Sequence, residues 1–188
     1  PVVRVSDGAI VGLEALARWT DPRHGTVTPA QFIPVAEDSG LIDELGSFML
    51  DEACARANAW QASFPGRELS ISVNVSPHQA QRDGFVDLVM SMLSRHRIPP
   101  HHLVLELTER VMIEADVREV FEELRARNIR IAIDDFGAGH ASIGSLWRLP
   151  VDILKIDRSF VGGAGDNPRR LAILRSMVQI GHDLGMTV

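Results

Sequence analysis

The chain has 188 residues, of which 45% are hydrophobic and 23% are charged, and its formal net charge is −6. This balance is typical of a soluble globular domain and excludes disordered and fibrous chains. The single cysteine, Cys54, excludes a disulfide scaffold and suits a reducing compartment, so we expect a cytoplasmic protein or the cytoplasmic part of a larger membrane-anchored one. The negative charge and the lack of an apolar run of about 18 residues argue against nucleic acid or direct membrane contact.

Short β-branched runs alternate with longer segments of helical period along the chain. The runs predict strands at Ile10–Ala17, Leu69–Val75, Leu103–Thr108, Arg130–Asp134 and Asp152–Ile156, with a further strand beginning at Met186. The segments between them predict helices at Ala30–Asp38, Leu41–Ser63, Phe85–His96, Asp116–Asn128 and Pro168–Gly185. In the second helix we expect a buried stripe of residues spaced by three and four, namely Leu45, Phe48, Met49, Ala53 and Ala57.

The alternation predicts an α/β fold with a parallel sheet, arranged either as a doubly wound open sheet or as a barrel. A dinucleotide fingerprint would favour the open sheet, but residues 137–142 lack its third glycine. We therefore favour a TIM-type (β/α)8 barrel, which typically needs about 250 residues. Because the chain begins without Met and ends within a strand pattern, we expect a fragment with an incomplete first strand and the last two strands missing.

Polar side chains interrupt the predicted strands near their C-terminal ends. They are Glu14, Asn74, Glu106, Asp134 and Lys155, with Glu109, Asp135 and Asp157 just beyond. Burying an unpaired polar group costs roughly 2 to 7 kcal/mol, so an apolar strand carries one only where a site requires it. In a barrel these strand ends form the face where active sites are built. We expect Asp134 and Asp135 both to turn inward because the flexible backbone after them ends the strand.

Lys155 is the only lysine among 19 basic residues, which makes it a candidate for chemistry, since its compact ammonium is easily tuned. Carboxylates can gather around it only if cations offset their mutual repulsion. Oxygen ligands select Mg²⁺ or Mn²⁺, with Ca²⁺ less productive, and the lack of histidine at strand ends disfavours zinc. Two ions sharing a carboxylate suit phosphodiester hydrolysis by water, with Lys155 orienting the water or stabilising charge on the phosphate.

The segment Gly12–Trp19, which reads GLEALARW, resembles the signature that names the EAL-domain family, the bacterial phosphodiesterases of cyclic di-GMP. The resemblance covers essentially the whole chain. It continues in PAQFIPVAEDSGLI at 29–42, in SVNVS at 72–76, in ELTE at 106–109, at 134–139 and in LPVDILKIDRSFV at 149–161. Several ordered motifs of this length make the match specific.

The resemblance implies hydrolysis of cyclic di-GMP to linear pGpG with two Mg²⁺ or Mn²⁺ ions, and inhibition by Ca²⁺. The metal ligands it implies are Glu14, Asn74, Glu106, Asp134 and Asp135. Asp134 is expected to be shared between the ions, and Asp135 to hold the second ion or its water. Glu14, Asp135 and Lys155 are the implied catalytic residues.

Other positions take their expected roles from the same motifs. Lys155 is expected to contact the attacking water, Arg18 to reach a substrate phosphate and Asp157 to contact the substrate. Glu109 is expected to anchor the loop that follows the two aspartates, which links the site to a dimer interface in this family. The resemblance also implies a homodimer, with sensory or GGDEF-type domains elsewhere in the full-length protein.

The sequence departs from the family pattern in two places. Ala138, His140 and Ala141 stand where the family usually shows Thr, Tyr and Ser, which affects the ordering of the loop and removes no ligand. The AEGVE motif and a later Gln of the family are not in this sequence, so we expect part of the second metal site to be lacking and the barrel to be unclosed.

Three alternatives to an active phosphodiesterase stay open. The chain could be a receptor that binds cyclic di-GMP without cleaving it, or a domain that is inactive because it is truncated. Lys155 could also be the amine of a Schiff-base aldolase, although such an amine needs an apolar or cationic setting rather than neighbouring carboxylates.

Overall fold

The computed structural model describes residues 1–108, 117–138, 146–147 and 149–188, and the chain clusters into two compact units, Pro1–Val104 and Leu105–Val188. The strands are β1 Val2–Val3, β2 Ile10–Ala15, β3 Trp19–Asp21, β4 Gly25–Val27, β5 Ser70–Asn74, β6 Leu103–Thr108, β7 Arg130–Phe136 and β8 Ile153–Ile156. The helices are α1 Pro29–Ser39, α2 Ile42–Ser63, α3 Pro77–Ala80, α4 Phe85–His96, α5 Arg118–Ala126, α6 Arg158–Val161 and α7 Pro168–Asp183. Among these helices none has both the length and the apolar character to cross a bilayer.

The predicted elements are found, with bounds that differ by one or two residues at some ends. The strand Leu103–Thr108 and the helix Phe85–His96 have the predicted bounds. The sequence did not predict the short elements β1, β3, β4, α3 and α6. Elements of two to four residues are too short for a period to be read from the hydrophobic pattern.

In the first unit, β2 lies between β1 and β5. β2 and β5 run parallel, with Glu14 opposite Ser72, as the alternation of strands and helices predicts. β1 runs antiparallel to β2, a pairing that a purely parallel sheet does not include. Because β2 and β5 are parallel, their C-terminal ends lie at the same edge of the sheet.

Helix α2 packs against β5 and α4 through a face that differs from the predicted stripe. The residues buried on it are Ile42, Gly46, Leu50, Ala53, Cys54 and Ala57. Of the predicted stripe only Ala53 and Ala57 are buried, while Phe48 is 59% exposed, so the prediction was wrong for the larger side chains. Small residues on the buried face let the helix approach its neighbours. Gly46 costs the helix about 1 kcal/mol relative to Ala, yet a Cβ there would collide with Gln79.

In the second unit, β7 lies between β6 and β8. β7 and β8 run parallel. Where a further strand was predicted to begin at Met186, the structure has an isolated parallel bridge between Ile153 and Thr187. The β7 residues 131–133 have no exposed surface. β7 is therefore the centre of the core of this unit.

A β-bulge interrupts the pairing of β7 with β8. The register is regular up to Ile133 and resumes at Phe136, so Asp134 and Asp135 together lie opposite the single residue Lys155. Asp135 has a φ of 52°, in the left-handed region. The expectation that the strand ends at Asp134 was wrong, because β7 continues to Phe136. The bulge, and not a flexible strand end, breaks the alternation of side-chain direction at the two aspartates.

Candidate active site

The C-terminal ends of β2 and β5 carry two predicted site residues, Glu14 and Asn74. Asn74 Nδ2 donates a hydrogen bond to Glu14 Oε1 over 3.1 Å. Glu14 is half-buried and Asn74 is exposed. Asn74 uses its amide nitrogen for this hydrogen bond. The other polar atom of the amide is the carbonyl oxygen, which is an acceptor. The first unit therefore presents a carboxylate and an amide oxygen side by side, and both are ligands for a hard cation.

Close strand packing supports this Glu14–Asn74 pair. Gly12, two residues before Glu14, lies opposite Ser70. A Cβ at Gly12 would collide with the Ser70 side chain, whose hydroxyl donates to the Val11 carbonyl over 3.2 Å. The glycine and the serine thus hold β2 close to β5 just before the two site residues.

Three predicted site residues of the second unit are in direct contact, and we call them the Lys155 cluster. Lys155 Nζ lies 2.5 Å from Glu106 Oε2 and 3.1 Å from Asp134 Oδ1. A carboxylate oxygen of Glu106 lies within 4.8 Å of one of Asp134. The exposed fraction of the side chain is 3% for Glu106, 21% for Asp134 and 28% for Lys155. The cluster is built from three different strands, β6, β7 and β8.

Burial makes the charges of the Lys155 cluster costly, and the ion pairs offset part of that cost. Two carboxylates face one ammonium, so the cluster retains negative charge. Negative charge and oxygen donors suit a divalent cation such as Mg²⁺ or Mn²⁺. Glu14, Glu106 and Asp134 are residues that could hold a metal ion, so the donor set of the chain fits the predicted kind of cofactor.

The remaining predicted site residues have more varied surroundings. Asp135 is exposed at the bulge. Asp157 caps α6 by accepting a hydrogen bond from Ser159 N over 2.9 Å, and hydrogen bonding from Ser159 holds the pKa of Asp157 below its usual value. Arg18 is exposed, and its guanidinium donates to the preceding backbone carbonyl over 2.9 Å. Glu109 lies outside the described residues, so its predicted anchoring role stays a prediction.

The loop that follows β7 is described only in part. Ala138 belongs to the described residues and is exposed. His140 and Ala141, the other departures from the family pattern, lie outside the described residues. The predicted effect of these departures on the ordering of the loop therefore stays a prediction.

The sequence did not predict a cavity of about 540 Å³ in the first unit. Its walls include Glu14, Arg18 and the rings of Trp19, Phe32 and Trp60. Trp19 and Phe32 meet edge to face, with their ring centroids 5.9 Å apart. The sequence feature that could have indicated this cavity is Trp19, which directly follows Arg18. Tryptophan and arginine are both enriched in binding surfaces.

Comparison with known proteins identifies relatives along the whole chain. Residues 1–188 match the family described as EAL domain. MucR of Pseudomonas aeruginosa, a bifunctional diguanylate cyclase/cyclic di-GMP phosphodiesterase, is 41% identical over 190 residues, which are 100% of this chain and 28% of MucR. An uncharacterized signaling protein of Caulobacter vibrioides is 40% identical over 191 residues, 100% of this chain and 23% of that protein. The chain thus spans less than a third of the length of these relatives.

Comparison with solved structures also identifies EAL-domain relatives. The c-di-GMP complex of the PaMucR phosphodiesterase has a TM-score of 0.89 and 40% identity, covering 98% of this chain and 75% of that one. The EAL domain of Mycobacterium smegmatis DcpA has a TM-score of 0.80 and 33% identity, with the same coverage of 98% and 75%. These likenesses confirm the predicted fold class, an α/β fold of the TIM-barrel type. The chain belongs to the EAL domain family.

Proposed function

We propose that this chain is the catalytic domain of a phosphodiesterase that hydrolyses cyclic di-GMP to linear pGpG with Mg²⁺ or Mn²⁺. The observation that carries the proposal is the contact of Lys155 with Glu106 and Asp134, because burying this much charge is costly unless chemistry requires it. The relative MucR supports the substrate, since it is named as a cyclic di-GMP phosphodiesterase and its solved structure is a c-di-GMP complex.

In this proposal the metal ions would be held by oxygen ligands of the chain. The ligands would be Glu14, Asn74, Glu106, Asp134 and Asp135, and Asp134 would serve both ions. When bound, the ions neutralise charge on the phosphate and make water a better nucleophile. Ca²⁺ inhibits, because it prefers more ligands at longer distances than Mg²⁺ does.

The protein side chains complete the reaction. Hydrolysis forms a bond from a water oxygen to phosphorus and breaks the bond from phosphorus to the ribose 3′ oxygen, which leaves with a proton. Lys155, between two carboxylates, orients the attacking water and offsets the negative charge that develops on the phosphate. Arg18 binds a substrate phosphate, Asp157 contacts the substrate and Glu109 anchors the loop after β7. The exposure of Arg18 leaves its guanidinium accessible to a phosphate, which supports its role.

The structure also bears on the alternative functions. In the Lys155 cluster the amine faces two carboxylates, whereas a Schiff-base lysine needs an apolar or cationic setting. The ion pairs therefore argue against an aldolase. A receptor that binds cyclic di-GMP without cleaving it would use the same site. The receptor and the phosphodiesterase are therefore distinguished by whether pGpG is formed.

We further propose that the domain works as a homodimer in the cytoplasm, joined to a sensory or GGDEF-type domain. MucR supports a second domain, because it is named as a diguanylate cyclase as well as a phosphodiesterase and this chain matches 28% of it.

Turnover of cyclic di-GMP by the full-length protein tests the proposed function. We expect pGpG to form with Mg²⁺ or Mn²⁺, and its formation to stop with a chelator or with excess Ca²⁺. Binding of cyclic di-GMP without pGpG would instead favour the receptor. Turnover that persists in chelator would contradict the metal requirement, and a borohydride-trapped adduct at Lys155 with carbonyl substrates would favour the aldolase.

A further inference from the structure

A buried glutamine lies close to the Glu14–Asn74 pair along the chain. Gln79 is on α3 and is 5% exposed. A polar side chain buried to this degree is normally held by hydrogen bonds. Helix α3 begins at Pro77, so residues 75–76 alone separate it from Asn74.

Gln79 closes the turn that leads from Asn74 into α3. Its Oε1 accepts a hydrogen bond from Ser76 N over 3.1 Å, and Gln79 N donates to Ser76 Oγ over 3.2 Å. This reciprocal capping box fixes both the backbone and the side chain of Ser76. Because Ser76 is two residues from Asn74, the box limits the freedom of the backbone that carries Asn74.

The amide of Gln79 also lies against α2. A Cβ on Gly46 would collide with Nε2 and Cδ of Gln79. Gly46 is on the buried face of α2, which packs against α3 and β5. Any larger residue at this position would displace the Gln79 amide, and with it the acceptor of the Ser76 hydrogen bond.

We infer that Gln79 is a positioning residue that holds Asn74 in place through Ser76, and that Gly46 provides the room it needs. The inference rests on the proposed function, because it takes Asn74 to be a metal ligand. Partners that orient a ligand from outside the coordination shell typically change metal affinity about 10- to 100-fold when they are replaced. Gln79 acts through Asn74, so its effect disappears when the Asn74 side chain is removed.

Mn²⁺ binding to the full-length protein, followed by the electron paramagnetic resonance signal of the free ion, tests this without relying on turnover. Asn74→Ala weakens Mn²⁺ binding, and Gln79→Leu and Gly46→Ala each weaken it about tenfold. In an Asn74→Ala background neither of the other two substitutions weakens binding further.

The control for the added methyl group is Gly165→Ala, because a Cβ on Gly165 meets open space and its φ lies outside the left-handed region. Gly165→Ala leaves Mn²⁺ binding unchanged. Circular dichroism monitors folding of each variant. Gln79→Leu keeps the approximate volume of the side chain and carries the test if Gly46→Ala does not fold.

Unchanged Mn²⁺ affinity in Gln79→Leu, together with weakened binding in Asn74→Ala, overturns the inference and leaves the proposed function intact. A further loss in the Asn74→Ala background also overturns it, because the effect would then be a general structural one. A wild-type protein that binds no Mn²⁺, or one whose binding Asn74→Ala does not change, overturns the proposed ligand set itself and the inference with it.

Discussion

The Glu14–Asn74 pair and the Lys155 cluster balance charge in different ways. In the first unit the half-buried Glu14 carboxylate is paired with a neutral amide at an exposed strand end. In the second unit Glu106 is almost fully buried and is paired with a cation. A buried carboxylate depends on its counter-charge, whereas a more exposed one is stabilised by water. Residues of the Lys155 cluster should therefore affect stability as well as activity, while those of the pair should affect activity alone.

The largest expected effect follows from removing the only lysine. Lys155→Met leaves Glu106 buried without its cation, and removing one partner of a buried ion pair costs about 3 to 5 kcal/mol. Urea denaturation of the variant should show this loss in the free energy of unfolding. Turnover of cyclic di-GMP should be lost as well.

Two further variants separate charge from packing at this position. Lys155→Arg keeps the positive charge and should recover most of the stability, although not the geometry. The double variant Lys155→Met with Glu106→Gln removes both charges and should be more stable than Lys155→Met alone. If Lys155→Met unfolds at the same urea concentration as the wild type, the second unit does not depend on this counter-charge.

The next effect concerns the bulge in β7. Asp135 has a φ of 52°, which Gly adopts freely and which a β-branched residue resists at a cost of about 1 to 2 kcal/mol. Asp135→Val should therefore be less stable than Asp135→Gly by about that amount in urea denaturation. Thr108→Val, at an exposed strand end of ordinary φ, is the control and should have little effect. Equal stability of Asp135→Val and Asp135→Gly would mean that the left-handed backbone is not present in solution.

A smaller effect on stability is expected in the first unit. Glu14→Gln keeps the shape and a carbonyl acceptor for Asn74, so the free energy of unfolding should change by no more than about 0.5 kcal/mol. Turnover should nevertheless fall at least about 100-fold, since the variant lacks a charged ligand. The matched control is Glu68→Gln at an exposed position, which should change neither quantity. A large loss of stability in Glu14→Gln would remove the contrast between the two units.

The smallest effect is a pH dependence in the first unit. The His96 hydrogen bond over 2.8 Å, with Arg95 nearby, holds the pKa of Asp51 below its usual 3.8. The ionised carboxylate therefore stabilises the folded protein above about pH 4, and this contribution is lost as the pH falls through the lowered pKa. Between pH 6 and pH 3, Tm should fall less in Asp51→Asn than in the wild type. The control Asp38→Asn, at an exposed position, should show the same dependence of Tm on pH as the wild type. If Asp51→Asn also shows the wild-type dependence, the role of His96 is refuted.

The strand ends that carry the site were predictable, because a polar residue in an apolar run is costly and therefore stands out. Lys155 was predictable for the same reason, helped by its being the only lysine. The bulge was not, because the sequence Asp134–Asp135 does not distinguish a strand end from a bulge whose register depends on β8.

The buried face of α2 was missed for a different reason. The prediction placed large hydrophobic residues such as Phe48 on the buried face. In the structure that face lies close to neighbouring elements and carries small residues such as Gly46. The contact of Gly46 with Gln79 joins residues from separate elements, and no local pattern encodes it.

Hydrolysis of cyclic di-GMP in water enriched in oxygen-18 tests the proposed chemistry most directly. With Mg²⁺ or Mn²⁺ present, the full-length protein should yield pGpG that carries one heavy oxygen in its 5′-phosphate, and the Glu14→Gln variant should yield at least about 100-fold less. Recovery of unlabelled, uncleaved cyclic di-GMP from the wild-type protein would contradict phosphodiester hydrolysis by this domain.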